Sequence, residues 1–506
     1  MKKIMTRLLS LVLLGAFIPS FVLAETWDLG KGDITVTATE TSQTVSQVNG
    51  ETKDDPDPVI TSSGKTENTV TINAEANATA KVTLENVNID TGTRGGAAIT
   101  TSGEGKVNIE LNGTNTVQSG NTHAGVEKKD NGTLTITDEN KDGSLTATGG
   151  NYGAGIGGGY EGSGSNIAIE GGKVKAIGGT HGAGIGGGFG GSGSNIAIEG
   201  GKVEASSVGG GAGIGGGSIG SGSGITVSGG EVTAQGGVGG AGIGGGQGGS
   251  GSNITISDGK VTATGAGAGA GIGGGYEGSG KGITIEGGEV TAQGDAGGAG
   301  IGGGISGTGS DVTISGDAQV KVQGGTTGRD WHKGAAIGNG GTPTTDGNEV
   351  SPNTSDLKVG GFIQIYEPGK NINTDTPDRT IEGQKGDHSW NAGEVTTAET
   401  VPESKAAAYW VSDSQGQSIP YQAQQKDGVL TVTVQADTAS LRGTTGSLGQ
   451  LEAQGVAEIR FVTNGAQSAF TLSDFLTSGT GSFTLTHDGD KITFTLENTD
   501  ISGILK

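Results

Sequence analysis

The chain of 506 residues contains no cysteine and few aromatic residues, which make up 4% of the sequence. The absence of cysteine excludes disulfide bonds and thiolate metal sites. Basic residues are also scarce, because 30 Lys and Arg stand against 53 Asp and Glu and give a net charge of −23. This charge disfavours nucleic acids and anionic membranes as partners. It suits neutral or basic surfaces, or calcium.

Residues 1–24 have the features of a secretory signal peptide. Lys2, Lys3 and Arg7 form a basic end, an apolar run extends from Leu8 to Ile18, and residues 22–24 fit a cleavage site. The apolar run is too short for an ordinary membrane span, and no other long apolar segment is present. We therefore predict an extracellular, secreted protein that is either free or associated with a surface non-covalently. A secreted chain without cysteine favours a bacterial source.

A glycine-rich block with the consensus GAGIGGG recurs at a strict spacing of 29 residues. Its alanines are Ala154, Ala183, Ala212, Ala241, Ala270 and Ala299. A fixed period of this length is typical of a solenoid, in which each unit buries its apolar face against the next. Three degenerate copies, at residues 96–99, 124–126 and 333–338, raise the predicted number of coils to about nine.

Within each unit the apolar residues alternate, which is the spacing of β-strands. Two of the predicted inward rows follow one strand, and a third follows the next strand. The rows are Ile167, Ile196, Ile225, Ile254, Ile283 and Val312; Ile169, Ile198, Val227, Ile256, Ile285 and Ile314; and Val174, Val203, Val232, Val261 and Val290. Glycine pairs between the strands supply tight corners. These features predict an all-β parallel β-helix with 29-residue coils.

Changes in composition divide the rest of the chain. We predict an N-terminal β cap with the first coils at 25–94, the β-helix repeats at 95–345 and a cap with a linker at 346–400. Residues 401–506 have less glycine and more aromatic strands, and we predict a small, mainly-β module there. Its predicted strands are 429–434, 458–462, 482–486 and 491–496, with a short helix at 473–476. Residues 51–58 are expected to form an exposed acidic loop.

The order of these parts resembles a known family. The strings VTLENVNIDTG, VNIELNGTNTVQSGNTHAGV and LTITDENKDGSLTATGG precede the tandem GAGIGGG coils. Over residues 30–345 the chain resembles the carbohydrate-binding-domain-like parallel β-helix proteins that Firmicutes secrete. The resemblance implies a pectate-lyase-like architecture and an adhesin-like surface or secreted protein. Some relatives are thought to bind acidic polysaccharide with calcium.

The sequence contains few groups arranged for catalysis. A polysaccharide lyase of this fold needs clustered carboxylates for calcium and a basic residue nearby. Only Glu170 and Glu199 are expected to stack on one outer face, beside Lys173 and Lys202, and we interpret them as a solvated charge pair on a coil face rather than as a calcium site. The five histidines are scattered without metal-ligand spacing. We therefore predict no catalytic residues, no metal site and no cofactor, with calcium as the alternative.

Aromatic residues offer candidate ligand contacts. The residue after GIGGG is Tyr160, Phe189 or Tyr276 in three of the coils, and such rings can stack on sugars or pack on their neighbours. Trp331 lies among charged residues in a stretched interval before the last coil, where it could contact a ligand or anchor a cap. We predict these four residues as the ligand-binding set.

The sequence thus favours a non-enzymatic, adhesin-like or structural protein that binds a polysaccharide or a cell-surface glycan. A calcium-dependent polysaccharide lyase is the first alternative. An ice-binding solenoid is the second, because Thr226, Thr255, Thr284 and Thr313 are expected to form an outward ladder, as are Thr233, Thr262 and Thr291. Such ladders are also ordinary strand surface, since threonine is β-branched.

Overall fold

The computed structural model describes residues 24–326, 332–382 and 409–506, except 49, 51, 355, 356, 359, 415–418, 420, 427, 454, 480, 490 and 498. The described chain divides into two compact units, one up to residue 382 and one from residue 409 onward. The first is a parallel β-solenoid, which confirms the predicted fold class. The second contains two small sheets and two helices.

Three sheets run along the solenoid, and each regular coil contributes one strand to each sheet. The first sheet contains Thr26–Asp28, Val59–Thr61, Thr79–Glu85, Lys106–Asn112, Thr133–Thr137, Gly164–Ile169, Gly193–Ile198, Gly222–Val227, Gly251–Ile256, Gly280–Ile285 and Gly309–Ile314. The second contains Ile34–Ala38, Gln43–Gln47, Lys53–Asp54, Val70–Ala74, Ile99–Ser102, Val126–Lys128, Ile156–Gly157, Ile185–Gly186, Ile214–Gly215, Ile243–Gly244, Ile272–Gly273, Ile301–Gly302 and Ile337–Gly338. The third contains Asn88–Asp90, Thr114–Gln118, Ser144–Thr148, Lys173–Gly178, Lys202–Ser207, Glu231–Val238, Lys260–Ala266, Glu289–Gln293, Gln319–Gln323, Phe362–Tyr366 and Arg379–Glu382.

The predicted inward rows form the core. Ile254 pairs with Ile225 on one side and with Ile283 on the other, and all three side chains are fully buried. The same register holds from coil to coil because every regular unit has the same length. Each isoleucine therefore covers the apolar face of the one before it, and neighbouring coils stabilise each other.

Glycine is required where the second sheet turns its corner. Gly186 has a φ of 130°, and a Cβ atom placed on it would lie 2.0 Å from the carbonyl oxygen of Gly215. No side chain fits at that distance, so the coils stack at this corner only through bare backbone. The GIGGG string is thus a packing requirement of the regular coils.

The solenoid has more coils than the sequence indicated. Eleven parallel strands form the first sheet, whereas about nine coils were predicted. The difference lies in residues 25–94, where the strands Ile34–Ala38 and Val70–Ala74 join the second sheet. The coils within residues 25–94 have side chains at the corners where the regular coils have glycine. They therefore lack the GAGIGGG motif, on which the predicted number was based.

Antiparallel strands cover two sheet edges. Gln43–Gln47 pairs antiparallel with Ile34–Ala38 at the N-terminal end, and Arg379–Glu382 pairs with Phe362–Tyr366 at the C-terminal end. The prediction of a wholly exposed acidic loop at 51–58 is wrong for Asp55. This side chain is buried and accepts a hydrogen bond from Nε1 of Trp27 at 2.8 Å, so it holds the cap in place.

The second unit has a phenylalanine-rich core. Its strands are Tyr409–Ser412, Tyr421–Lys426, Val429–Val434, Thr438–Thr444, Glu458–Val462, Gln467–Thr471, Ser482–Asp488, Lys491–Leu496 and Thr499–Asp500, and its helices are Thr445–Ala453 and Leu472–Thr477. Fully buried side chains include Phe461, Phe470, Phe475, Phe483 and Phe494. The four predicted strands are present, and the helix Thr445–Ala453 was not predicted.

Candidate functional site

Two of the predicted aromatic residues meet on adjacent coils. The rings of Tyr160 and Phe189 stack with their centroids 5.7 Å apart and their planes 15° apart. Tyr160 is 47% exposed and Phe189 is half-buried. Both residues follow the short strands of the second sheet, and the 29-residue period places one directly beside the other.

The rings of Tyr152 and His181, which were not predicted from the sequence, lie beside Tyr160 and Phe189. Tyr152 stacks on His181 with centroids 5.1 Å apart, and its ring stands edge-on to Tyr160 at 5.5 Å and to Phe189 at 5.9 Å. The loop before each short strand and the loop after it converge, as the hydrogen bond from the amide of Phe189 to the carbonyl of Tyr152 shows. We call these four rings the aromatic corner.

The other two predicted site residues are not part of this corner. Tyr276 lies three coils beyond Phe189, with Ser218 and Gln247 at the intervening positions, and its side chain is half-buried. Burial and the neighbouring Glu277 raise its pKa above the ordinary value. Trp331 lies outside the described residues, as do residues 1–23 of the predicted signal peptide.

Tyr160 also lines a groove on the N-terminal side of the aromatic corner. The groove is open to solvent and has a volume of about 690 Å³, and its polar lining includes Thr122, Asn131, Ser163 and Ser165. The strand Val126–Lys128 pairs with Ile156–Gly157, so Glu127 stands opposite Gly157. Asp130 and Tyr160 follow this pair by three residues on their respective coils, and both line the groove.

The groove carries a set of buried charges. Glu127 and Lys128 are each only 3% exposed. The Nδ1 atom of His123 lies 2.7 Å from Oε2 of Glu127, and Nζ of Lys129 lies 2.9 Å from Oε1. The ammonium group of Lys128 donates to the carboxylate of Asp130 at 2.5 Å. We call these five residues, together with Tyr160, the charged groove.

The corner beyond the rings is unusually apolar for a surface. Among the described residues, five large hydrophobic side chains are exposed, and one of them, Val48, lies elsewhere. The other four are on the loops or strand ends that form this corner: Tyr160, Val208, Ile219 and Val238.

Ile219 is strained as well as exposed. Its φ of 62° is left-handed, whereas Gly190 and Gly248 occupy the equivalent positions in the flanking coils. The same position is left-handed in the other regular coils, as in Glu161 at 56° and Glu277 at 59°, so the repeat imposes this conformation and the β-branched side chain of Ile219 makes it costly. The side chain is 62% exposed, so its burial does not offset the strain within the solenoid.

We predict that Ile219→Gly stabilises the protein by about 1 kcal/mol. Relief of the left-handed strain is worth about 1–2 kcal/mol, and the extra entropy of glycine in the unfolded chain offsets about 0.5–1 kcal/mol of it. Denaturant unfolding of wild type, Ile219→Gly and Ile219→Ala measures the effect. A less stable glycine variant would show that the isoleucine contributes packing that outweighs its strain.

The alternatives raised by the sequence find limited support in the geometry. Thr226, Thr255 and Thr284 are paired as an outward ladder of the first sheet, but Thr233 and Thr262 belong to the third sheet. The two ladders therefore do not form a double rank on one face.

Within the described residues, no three His, Asp or Glu side chains are grouped closely enough to hold a metal ion.

Comparison with known proteins identifies the repeat. A family model described as beta helix repeat matches residues 141–160, 167–189, 196–218, 225–247, 254–276 and 283–305. The regular coils of this chain are similar to that family, in agreement with the observed solenoid. No curated protein matches the chain, and no solved structure matches it.

No helix in the described part of the chain is both long and apolar enough to cross a membrane.

Proposed function

We propose that this protein is a secreted, non-enzymatic glycan-binding solenoid, and that the charged groove and the aromatic corner form its binding site. The observation that carries the proposal is the position of Tyr160 at the wall of a polar groove. Sugar rings present both an apolar face and hydroxyl groups, so a site for them combines an aromatic surface with a few polar groups.

The buried charges support a functional origin for the groove. Removing an ionised side chain from water costs several kcal/mol unless a partner compensates it. The next coils build the same corner with glycine, as Gly157 does opposite Glu127. In the next coil the amide of Ala154 donates to the carbonyl of Gly158, whereas at this coil the amide of Ala124 donates to the carboxylate of Glu127. The charges therefore replace a backbone contact of the regular corner, and the side chains that supply them also line the groove.

The arrangement also suits an adhesive role. A single ring contact with a sugar contributes on the order of 1 kcal/mol, so one molecule would bind weakly. Useful retention then comes from several molecules on one surface, or from several contacts with one polymer. This is the behaviour of a protein that coats or attaches to an insoluble polysaccharide.

We expect the double variant Tyr160→Ala, Phe189→Ala to lose about 30-fold in affinity for a glycan that the wild type retains, since two ring contacts are removed. Pull-down on a panel of insoluble polysaccharides, with and without EDTA, measures retention and tests the calcium alternative. Tyr276→Ala is the matched control, because it removes a ring at an equivalent corner three coils away. Retention of Trp331→Ala is measured separately, because Trp331 belongs to the predicted ligand-binding set and lies outside the described residues.

Each outcome has a defined meaning once circular dichroism shows that the variants are folded. Unchanged retention of the double variant would remove the aromatic corner as the site. Equal loss in Tyr276→Ala would extend the site along the solenoid. Failure of the wild type to bind any polysaccharide would contradict glycan binding altogether. Loss of retention in EDTA would show that a divalent cation takes part.

A further inference from the structure

Both carboxylates of the charged groove are paired with a lysine. In Glu127, Oε2 accepts from His123 and from the backbone amide of Ala124 at 3.1 Å, and Oε1 forms an ion pair with Nζ of Lys129. Only 4% of the Glu127 side chain is exposed. Asp130 is paired with Lys128, and their side chains are 9% and 1% exposed. Neither carboxylate faces the solvent of the groove.

The groups that do face the groove are hydrogen-bond donors. The side chain of Lys129 is 51% exposed and that of His123 is 29% exposed. A lysine ammonium has three donors, and the contact with Glu127 uses one of them. The groove thus presents a cation with free donors beside the ring of Tyr160, on a chain whose net charge is −23.

We infer that the charged groove recognises an anionic substituent of the glycan, a carboxylate or a sulfate, and that Lys129 is the residue that binds it. This inference rests on the proposed function. Lys129 supplies the charge, Glu127 pairs with its ammonium group and is itself held by His123, and Tyr160 contacts the sugar ring. Because the rest of the chain repels anions at long range, selectivity for an acidic sugar depends on this local contact.

Matched polysaccharides test the inference directly. The probes are an uronic-acid polysaccharide beside its carboxyl-reduced form, and a sulfated polysaccharide beside its desulfated form. We expect wild type to bind one charged form about tenfold more tightly than its neutral partner, which is the typical contribution of a hydrogen bond to a charged group. The pair that shows the difference distinguishes carboxylate from sulfate.

Variants of lysine identify the residue. Lys129→Gln is expected to bind charged and neutral forms equally, and Lys129→Arg is expected to keep the preference. Lys202→Gln is the matched control, because Lys202 is 49% exposed and also paired with a glutamate, Glu231 at 3.4 Å. Lys202→Gln should therefore keep the preference for the charged form.

The outcomes separate this inference from the function on which it rests. Equal binding of charged and neutral glycans by wild type would overturn the anionic specificity and leave glycan binding intact. Loss of the preference in Lys202→Gln as much as in Lys129→Gln would assign it to the overall charge of the surface. Failure of wild type to bind all four polysaccharides would overturn both proposals.

Discussion

Ile254→Asp is expected to destabilise the solenoid by at least about 4 kcal/mol. Ile254 is fully buried between Ile225 and Ile283 in the stacked core. An aspartate there carries a charge with no partner and also leaves a cavity. Because each coil is stabilised by its neighbours, the damage extends to the coils on both sides. Thermal and denaturant unfolding measure the loss.

Two controls separate this effect from a general sensitivity of the strand. Thr255→Asp introduces the same charge one residue further on, at an outward position that pairs with Thr226 and Thr284. It should change stability by less than about 0.5 kcal/mol, as ordinary surface substitutions do. Ile254→Val removes one methylene and should cost about 0.5–1.5 kcal/mol. Unfolding of Ile254→Asp at the wild-type midpoint would show that the residue does not face the core.

Deleting residues 212–240 is expected to leave a folded protein that is shorter by one coil. The deletion removes 29 residues, so Ala241 takes the place of Ala212 and every inward row remains continuous. Solenoid stability is close to a sum of repeat and interface contributions, and the loss of one unit is therefore modest. Circular dichroism and the thermal midpoint of the purified variant test this expectation.

Deleting only residues 212–225 provides the contrasting case. The join then connects a corner to the middle of a strand, so apolar side chains turn outward and the glycine corners no longer stack on one another. We expect loss of solubility or of the β-sheet signal. If both deletion variants were equally soluble and gave the same spectrum, the stacking of identical coils would be the wrong description of this chain.

The strict period made the fold predictable. Equal spacing of 29 residues placed Ile225 opposite Ile254 and Thr226 opposite Thr255, and the structure has both pairs. Residues with a left-handed backbone conformation also recur every 29 residues, although this regularity was not predicted from the sequence. Asn166 and Asn195 have φ values of 56° and 51°, and glycine replaces asparagine at Gly224 because both residues tolerate that conformation.

The candidate site was predicted only in part, because it lies where the period is broken. Tyr160 and Phe189 were found from their spacing, and the same spacing relates Tyr152 to His181. What the spacing does not show is that the loops before and after a short strand converge. The charged groove was missed because Glu127 and Lys128 replace glycines of the motif, and this coil was interpreted only as a degenerate repeat.

Hydroxyl-radical footprinting of the wild-type protein tests the central claim most directly. The polysaccharide retained in the pull-down is added, and the oxidation rate of each aromatic side chain is measured by mass spectrometry. We expect that Tyr160 becomes protected, that Tyr152 and Phe189 follow to a smaller extent, and that Tyr276 keeps its rate. Protection of Tyr276 with unchanged oxidation of Tyr160 would contradict the assignment of the binding site to the aromatic corner and the charged groove.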